Sequence, residues 1–252
     1  MDGGEGMKKE DFFEKVEGQL IVSCQALEDE PLHGSHLMAK VAAAAELGGA
    51  AGIRANGYDD IKAIQSVTKL PIIGLVKQDY SECDIYITPT RKEVDELLKA
   101  GVDVIALDAT GRERPEKERL EELIQYIKEK NTLVMADVST VDEGVEAERI
   151  GADCIGTTLS GYTDYSPQLT QPDFNLVHRL VKRVKVPVLA EGRYWSPDEV
   201  VHALGLGAHA VVVGSAITRP QVITKRFTDQ MKKAGVQHDA KVVGGEFTKR
   251  NP

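Results

Sequence analysis

A short turn recurs four times along the chain and constrains its fold more than any other feature. Each copy combines a helix end, a glycine, a small residue and an apolar run, as in LGGAAGI, KAGVDVI, RIGADCI and GLGAHAV. Glycine ends a helix well because it adopts left-handed backbone angles without strain, and the small residue lets the chain turn tightly into a strand. The repeat therefore predicts successive strand–helix units, with parallel strands covered by helices.

Eight such units can be traced in order. The predicted strands are residues 20–24, 51–54, 71–77, 102–107, 132–136, 153–156, 187–190 and 209–213. The predicted helices that follow them are residues 35–47, 58–68, 91–100, 115–130, 141–150, 173–182, 196–205 and 221–232. A short helix over residues 9–17 precedes the first strand, and an extra short strand is expected over residues 84–87, within an insert spanning residues 78–88. Eight units indicate a (β/α)8 TIM barrel with a short N-terminal helix.

Length and composition agree with one barrel and exclude several other classes. The chain has 252 residues, and a barrel of this kind has about 250. We therefore expect residues 1–252 to form one domain, with residues 1–18 as an N-terminal extension and helix and residues 236–252 as a tail. The net charge of −9 argues against a nucleic-acid partner. No apolar run approaches the roughly 20 residues needed to cross a bilayer, so we expect a cytoplasmic protein without a membrane partner.

The stretch from residue 187 to residue 219 predicts a phosphate site. Gly192 follows the seventh strand, and Gly214 and Ser215 follow the eighth, just before another helix begins. Bare backbone N–H groups at such turns bind phosphate, and barrels commonly place this site after strands seven and eight. Arg219 either adds positive charge to the phosphate site or caps a loop.

Polar residues stand at the carboxyl end of nearly every predicted strand, which is where barrel enzymes place their catalytic groups. For any one of them, a solvated position at the rim is an equally good interpretation. Gln25 and Arg54 either bind sugar oxygens or pair with nearby carboxylates. The predicted strand-end groups are Gln25, Arg54, Lys77, Asp108, Asp137, Thr157, Thr158, Glu191 and Gly214 with Ser215.

Lys77 and Glu191 are the candidate catalytic pair. Lys77 closes an otherwise apolar strand, and apolar surroundings lower a lysine pKa enough for it to act as a general base or to form a Schiff base. The alternative is an ion pair with a rim carboxylate such as Asp108 or Asp137. Glu191 ends the seventh strand, on the far side of the barrel mouth. If the two side chains face one carbon from opposite sides, they can remove a proton from one face and return it to the other.

A metal site and disulfides are not expected. None of the six histidines lies at the carboxyl end of a predicted strand, and His209 begins the eighth strand at the opposite rim. Cys24, Cys83 and Cys154 form no C-x-x-C pair, and Cys24 and Cys154 within strands are expected to pack as small apolar side chains.

The strand-end strings resemble those of the bacterial N-acetylmannosamine-6-phosphate 2-epimerase family. The resemblance spans residues 19–219, and its most specific strings are GTTLSGYT and AEGR. The other strings are GQLIVSCQAL, GIRANG, PIIGLVK, VIALDATGRERP, LVMADVST and VLAEGRYWSPDEV.

The resemblance implies a (β/α)8 isomerase, without metal or nicotinamide cofactor, that interconverts N-acetylmannosamine 6-phosphate and N-acetylglucosamine 6-phosphate in sialic acid catabolism. It further implies that Lys77 is the base at C2 and Glu191 the opposing acid. By the same resemblance, the substrate-binding residues would be Gln25, Arg54, Asp137 and Arg219. The partner would be an amino-sugar phosphate, and barrel enzymes of this type are often homodimers.

Two alternatives stay open on the sequence. The chain could be another phosphate-binding barrel enzyme, either an aldolase with Lys77 as the Schiff-base lysine or an enzyme like thiamine-phosphate synthase. It could instead be a non-catalytic sugar-phosphate sensor, although the presence of both Lys77 and Glu191 argues against that function.

Overall fold

Eight parallel strands form a closed barrel in the computed structural model, which describes residues 9–234. Strands that follow one another in sequence are neighbours in the barrel, and the eighth pairs with the first to close it. The predicted barrel is confirmed, with small differences at the strand ends. The strands are β1 (Leu20–Cys24), β2 (Gly52–Asn56), β3 (Ile72–Leu75), β4 (Val104–Asp108), β5 (Leu133–Asp137), β6 (Cys154–Gly156), β7 (Val188–Glu191) and β8 (Ala210–Val213).

Helices follow the strands and cover the outside of the barrel. Three of them, α4, α6 and α8, begin with a capping box, in which a Thr or Ser side chain and a Glu three residues later exchange hydrogen bonds with each other's backbone. The helices are α1 (Lys9–Val16), α2 (Ser35–Leu47), α3 (Tyr58–Gln65), α4 (Arg91–Ala100), α5 (Leu120–Glu129), α6 (Val141–Arg149), α7 (Phe174–Arg183), α8 (Pro197–Gly205), α9 (Ser215–Thr218) and α10 (Pro220–Lys233). None of these helices is long and apolar enough to span a membrane.

The recurring glycine turn works as its sequence predicts. In all four copies a glycine after the helix has a positive φ, for example 74° at Gly101 and 107° at Gly151. The Gly101 N–H donates to the carbonyls of Leu97 and Leu98 and so completes the last turn of α4. A residue with a Cβ would be strained at these angles, so the turn from helix to strand depends on glycine.

Helix α1 closes the amino-terminal end of the barrel. Phe12 and Val16 are fully buried and pack with Ile21, Val104 and other residues of the barrel interior. The Nε2 atom of His209, at the start of β8, lies 2.9 Å from the Phe13 carbonyl oxygen. His209 is thus at the rim opposite the strand carboxyl ends, as predicted.

A second apolar layer lies between the strands and the covering helices. It includes Cys24, which is fully buried, as predicted, and whose burial raises the pKa of its thiol to about 12. Cys154 is also buried, within the barrel interior. Both cysteines therefore pack as apolar side chains.

The prediction of one continuous helix over residues 115–130 is wrong. Residues Pro115–Lys117 form a single 3-10 turn, and α5 begins only at Leu120. Glu116 and Lys117 have positive φ values of 57° and 59°, which no α-helix tolerates. The helical pattern of apolar residues in the sequence therefore begins before the helix does.

The extra strand predicted over residues 84–87 is also wrong. The insert forms no strand, and it has two isolated bridges, one between Ile87 and Lys77 just beyond β3 and one between Tyr80 and Cys83 within the insert. Hydrogen bonds from the Gln78 N–H to the Tyr86 carbonyl and from the Thr88 N–H to the Val76 carbonyl hold it there. The predicted extension before residue 9 and the predicted tail over residues 236–252 lie outside the described residues.

Candidate active site

The carboxyl ends of the strands surround a cavity of about 240 Å³. Eight of the nine residues to which the sequence assigns a catalytic, substrate-binding or phosphate-binding role line this cavity. The exception is Asp137, which is fully buried and contacts Arg54 instead of the open space. The predicted residues on the cavity wall are Gln25, Arg54, Lys77, Glu191, Gly192, Gly214, Ser215 and Arg219.

Arg54 joins three strands at the base of the cavity. It projects from β2 and is only 1% exposed, although it carries a full charge. Its Nη2 atom donates to Asp137 Oδ2 at 2.5 Å, and its Nη1 atom donates to Glu191 Oε2 at 2.6 Å. Burial acts to lower the pKa of Arg54, but the charges of Asp137 and Glu191 outweigh it and raise that pKa above its ordinary value. Arg54 therefore stays charged and ties β2 to β5 and β7.

Glu191 is held rigidly at the end of β7. Its backbone is fixed by Thr157, whose hydroxyl accepts from the Glu191 N–H at 2.9 Å and donates to the Glu191 carbonyl at 2.8 Å. Its carboxylate accepts from Arg54 and from the Thr158 hydroxyl, the latter at 3.1 Å. Burial raises the pKa of Glu191 to about 7, and the Asp137 charge adds to that rise while Arg54 opposes it. A carboxyl group with this pKa is protonated in part of the molecules at neutral pH.

Lys77 lies two residues beyond the end of β3, where its N–H donates to the Asn56 side chain at 2.8 Å. Burial, together with the positive charges of Arg219 and Arg54, lowers the pKa of Lys77 to about 8, although Glu191 and Glu30 act in the opposite direction. A neutral amine is therefore accessible near neutral pH, as a general base requires.

The alternative of an ion pair between Lys77 and a rim carboxylate is not what the structure shows. Asp137 pairs with Arg54, and Asp108 pairs with Arg112 at 2.6 Å. Asp108 also accepts from the hydroxyl and the N–H of Thr110, and burial raises its pKa. Within residues 9–234, no carboxylate lies within ion-pair distance of the Lys77 ammonium group.

The glycine turns after β7 and β8 form one side of the cavity. Gly192 has a φ of 116°, which suits glycine alone, and the cavity reaches its backbone. A Cβ at Gly214 would come within 3.3 Å of the Ser23 Cβ, so only glycine fits beside β1 without movement. The Thr218 hydroxyl donates to the Ser23 carbonyl at 3.0 Å and fixes the turn against β1. Within the described chain, no hydrogen bond uses the backbone N–H of Gly214 or Ser215.

Arg219 and Gln25 complete the predicted set at the side of β1. Gln25 is buried, and its amide donates to the Ser23 hydroxyl at 2.8 Å. Arg219 donates to the Ser215 hydroxyl at 3.4 Å and forms an ion pair with Glu30 at 2.9 Å. Glu30 is in the loop after β1 and was not among the predicted site residues.

Aromatic side chains of the cavity wall were also missed by the sequence predictions. Tyr86 comes from the insert after β3, Tyr162 from the long loop after β6, and Trp195 from the loop after β7. Burial raises the pKa of Tyr86 to about 12, so its hydroxyl keeps its proton at neutral pH. The one available signal was the length of the loops that carry Tyr86 and Tyr162, because loops at this end of a barrel shape its active site.

Arg193 ties two of these loops together. Its backbone has a φ of 62°, and its guanidinium donates to the Ser160 carbonyl at 2.6 Å and lies over the Tyr162 ring. The loops after β6 and β7 are therefore joined at the cavity mouth, next to Glu191.

The amino-acid sequence of this chain matches a known family. A model of the family described as "Putative N-acetylmannosamine-6-phosphate epimerase" matches residues 38–233. The chain belongs to this family. A relative from Clostridium perfringens, named "Putative N-acetylmannosamine-6-phosphate 2-epimerase", is 60% identical over 221 residues, which cover 88% of this chain and 100% of the relative. The family resemblance of the strand-end strings is thereby confirmed.

Solved structures agree with this assignment. The structure of the N-acetylmannosamine-6-phosphate 2-epimerase from Clostridium perfringens has a TM-score of 0.88 and 56% identity, covering 90% of this chain and 100% of that chain. A thiamine phosphate pyrophosphorylase from Pyrococcus furiosus has a TM-score of 0.57 and 20% identity, covering 88% of this chain and 96% of that one. The second similarity shows that the two proteins share a fold, and nothing more.

Proposed function

We propose that this protein interconverts N-acetylmannosamine 6-phosphate and N-acetylglucosamine 6-phosphate by removing and returning the proton at C2. One observation carries the proposal. Lys77 follows β3 and Glu191 ends β7, which are four strands apart in the closed barrel, and yet both line one cavity. Their pKa values are moved toward neutrality, to about 8 and about 7. Inversion at a single carbon requires one group that accepts a proton on one face and a second group that donates a proton on the other face.

The chemistry assigns a different protonation state to each group. The C2 proton becomes acidic when the sugar ring opens, because C1 is then an aldehyde and the carbanion is delocalised as an enolate. Neutral Lys77 removes this proton, and protonated Glu191 delivers one to the opposite face. The enolate oxygen at C1 needs positive charge nearby, and Arg54 at the cavity base keeps its charge. Asp137 then serves the substrate site through Arg54, which it orients.

The phosphate is proposed to bind at the side of the cavity that the turns after β7 and β8 form. The backbone N–H groups of Gly192, Gly214 and Ser215 lie at turns after β7 and β8, and Arg219 is beside Ser215. Backbone donors of this kind hold phosphate without a dedicated lysine. Gln25, which is buried and donates to the Ser23 hydroxyl, is proposed to bind a sugar oxygen of the substrate.

Proton exchange at C2 tests the reaction directly. Incubation with N-acetylmannosamine 6-phosphate in D₂O should yield N-acetylglucosamine 6-phosphate with deuterium at C2. Loss of the C2 proton signal in NMR measures this exchange. Absence of both conversion and exchange would overturn the proposed function. A Lys225→Ala variant, which removes a lysine that is 71% exposed, is the matched control and should react like the unchanged protein.

A Schiff-base aldolase is the second candidate, because the lowered pKa of Lys77 suits that chemistry as well. Borohydride reduction in the presence of the sugar phosphate separates the two. An aldolase is trapped as a covalent adduct on Lys77, whereas the proposed epimerase stays unmodified and active.

We propose in addition that the protein is a homodimer that acts in the cytoplasm. Helix α10 has no buried residue and exposes Phe227 and Met231, at 70% and 53%. Large exposed apolar side chains on one helix are typical of a contact surface. Light scattering at micromolar concentration should give twice the 27.5 kDa of one chain, and a value for one chain would contradict the dimer.

A further inference from the structure

Glu30 makes an unusually complete set of contacts beside the cavity. It lies in the loop between β1 and α2, and its side chain is 16% exposed. Its Oε1 atom is 2.9 Å from Arg219 Nε and accepts from the Gln221 amide at 3.1 Å. Its Oε2 atom accepts from Arg219 Nη2 at 2.9 Å and from the Leu27 N–H at 2.9 Å. Oε2 is therefore held by two hydrogen-bond donors, and Oε1 by one donor and an ion-pair contact.

These contacts determine which edge of Arg219 reaches the cavity. Glu30 holds this guanidinium through one hydrogen bond, from Nη2 to Oε2 at 2.9 Å, and through an ion-pair contact of 2.9 Å between Nε and Oε1, so Nε and Nη2 form the edge that faces Glu30. Nη1 is left on the other side and donates to the Ser215 hydroxyl at 3.4 Å. The free edge of the guanidinium thus lies beside the turn of Gly214 and Ser215.

We propose that Glu30 is a positioning residue of the phosphate site, which holds Arg219 so that its free edge and the Gly214–Ser215 turn meet one phosphate group. The proposal rests on the proposed function for the identity of the substrate. Its contribution is geometric, because a flexible arginine loses considerable side-chain entropy when it binds, and Glu30 has already restricted it. The opposite expectation is purely electrostatic, in which a nearby carboxylate repels the phosphate and its removal strengthens binding.

Glu30 also acts on Lys77 through its charge. Arg219 and Arg54 lower the pKa of Lys77, whereas Glu30 and Glu191 raise it. Of these charged groups, Arg54 lies on β2, Glu191 ends β7, Glu30 is in the loop after β1, and Arg219 follows α9. Removal of the Glu30 charge should therefore lower the pKa of Lys77 further.

A Glu30→Gln variant tests the positioning role. The KM for the sugar phosphate should rise about tenfold, since hydrogen bonds to a charged group are lost, while kcat changes much less. The inhibition constant of inorganic phosphate should rise in parallel. The acid side of the kcat/KM profile should move to lower pH, because Lys77 loses its proton more easily. Tighter phosphate binding, or an unchanged KM with an unmoved profile, would overturn the proposal.

Two further variants separate positioning from loss of structure. Asp229→Asn removes one negative charge from an exposed ion pair with Lys225 on α10 and should leave all three readouts unchanged. Glu30→Asp keeps the charge but shortens the side chain, so it should restore the pH profile while KM stays raised. If Glu30→Asp instead behaves like Glu30→Gln in the pH profile, the charge link to Lys77 is wrong.

The two proposals fail in distinguishable ways. If the unchanged protein does not convert N-acetylmannosamine 6-phosphate, the proposed function is wrong, and the role of Glu30 can still be measured. Calorimetric titration with inorganic phosphate alone should show weaker binding to Glu30→Gln than to Asp229→Asn. Equal binding would overturn the positioning role whatever the substrate is.

Discussion

The two ends of the barrel are built from the same eight strands and yet have opposite character. At the amino-terminal end, α1 inserts Phe12 and Val16, and the interior is apolar and closed. At the carboxyl-terminal end, Arg54 and Asp137 are equally buried but carry charge. Burying charge is costly unless each group is paired, and the Arg54 network meets that condition with Asp137 and Glu191. The closed end stabilises the fold, whereas the open end reduces that stability because it buries charged groups with shifted pKa values.

The largest difference between the two ends is expected from Lys77→Ala. Loss of a general base typically reduces the rate by about 10²–10⁴-fold, so turnover of N-acetylmannosamine 6-phosphate should nearly disappear. Inhibition by inorganic phosphate should persist, because Gly214, Ser215 and Arg219 are untouched. Steady-state kinetics measure the turnover and the phosphate inhibition, and thermal unfolding checks that the variant is folded. Near-normal epimerisation would show that Lys77 is not the base.

At the closed end, Phe12→Ala should lower the free energy of unfolding and leave the catalytic rate unchanged. Phe12 is fully buried, and removal of a buried phenylalanine side chain costs about 3–5 kcal/mol in the free energy of unfolding. The kcat and KM of the folded protein should remain near normal. Leu47→Ala is the matched control, since Leu47 is 91% exposed, and it should change stability little. A selective loss of kcat in Phe12→Ala would mean that the two ends are not independent.

The smallest effect is expected in the pH dependence at the open end. Lys77, with a pKa of about 8, must be neutral, and Glu191, with a pKa of about 7, must be protonated. The kcat/KM should therefore peak between about pH 7 and 8, falling on the acid side as Lys77 gains a proton and on the alkaline side as Glu191 loses one.

Glu191→Gln sharpens this assignment. Glutamine does not titrate, so the residual activity should lose the alkaline fall and keep the acid one. Rate measurements across the same pH range test it, and a profile that keeps both sides would remove Glu191 from the role of acid.

Local pattern was sufficient for the strands and for most of the candidate site. Lys77 and Glu191 are found from sequence because each stands at the carboxyl end of an apolar run, and all strand carboxyl ends of a parallel barrel meet at one rim. Helix 115–130 was predicted too long because periodicity does not reveal the positive φ values at Glu116 and Lys117. The extra strand at 84–87 failed because an alternating apolar segment can equally bridge to its neighbour at single positions.

Other site residues depend on contacts between distant loops, which no local pattern encodes. Glu30 meets Arg219 across 189 positions of sequence, and Arg193 joins its loop to Ser160 across 33. Tyr86 lines the cavity only because the insert after β3 folds back over the rim. Asp137 was expected at the substrate, whereas the structure places its carboxylate against Arg54, outside the cavity wall. Its direct contact with substrate stays a prediction.

By itself, the sequence determined the barrel, the family and the list of groups at the rim, because strand periodicity, glycine turns and strand-end residues are local properties of the chain. The tertiary structure decided which of those groups pair and which remain available. Asp108 turns to Arg112 and Asp137 to Arg54, and Lys77 is left without a carboxylate partner among residues 9–234. The physical reason is burial: removal of water disfavours the charged forms of Lys77 and Glu191 and strengthens their interactions with nearby charges, so packing shifts the pKa values of both groups.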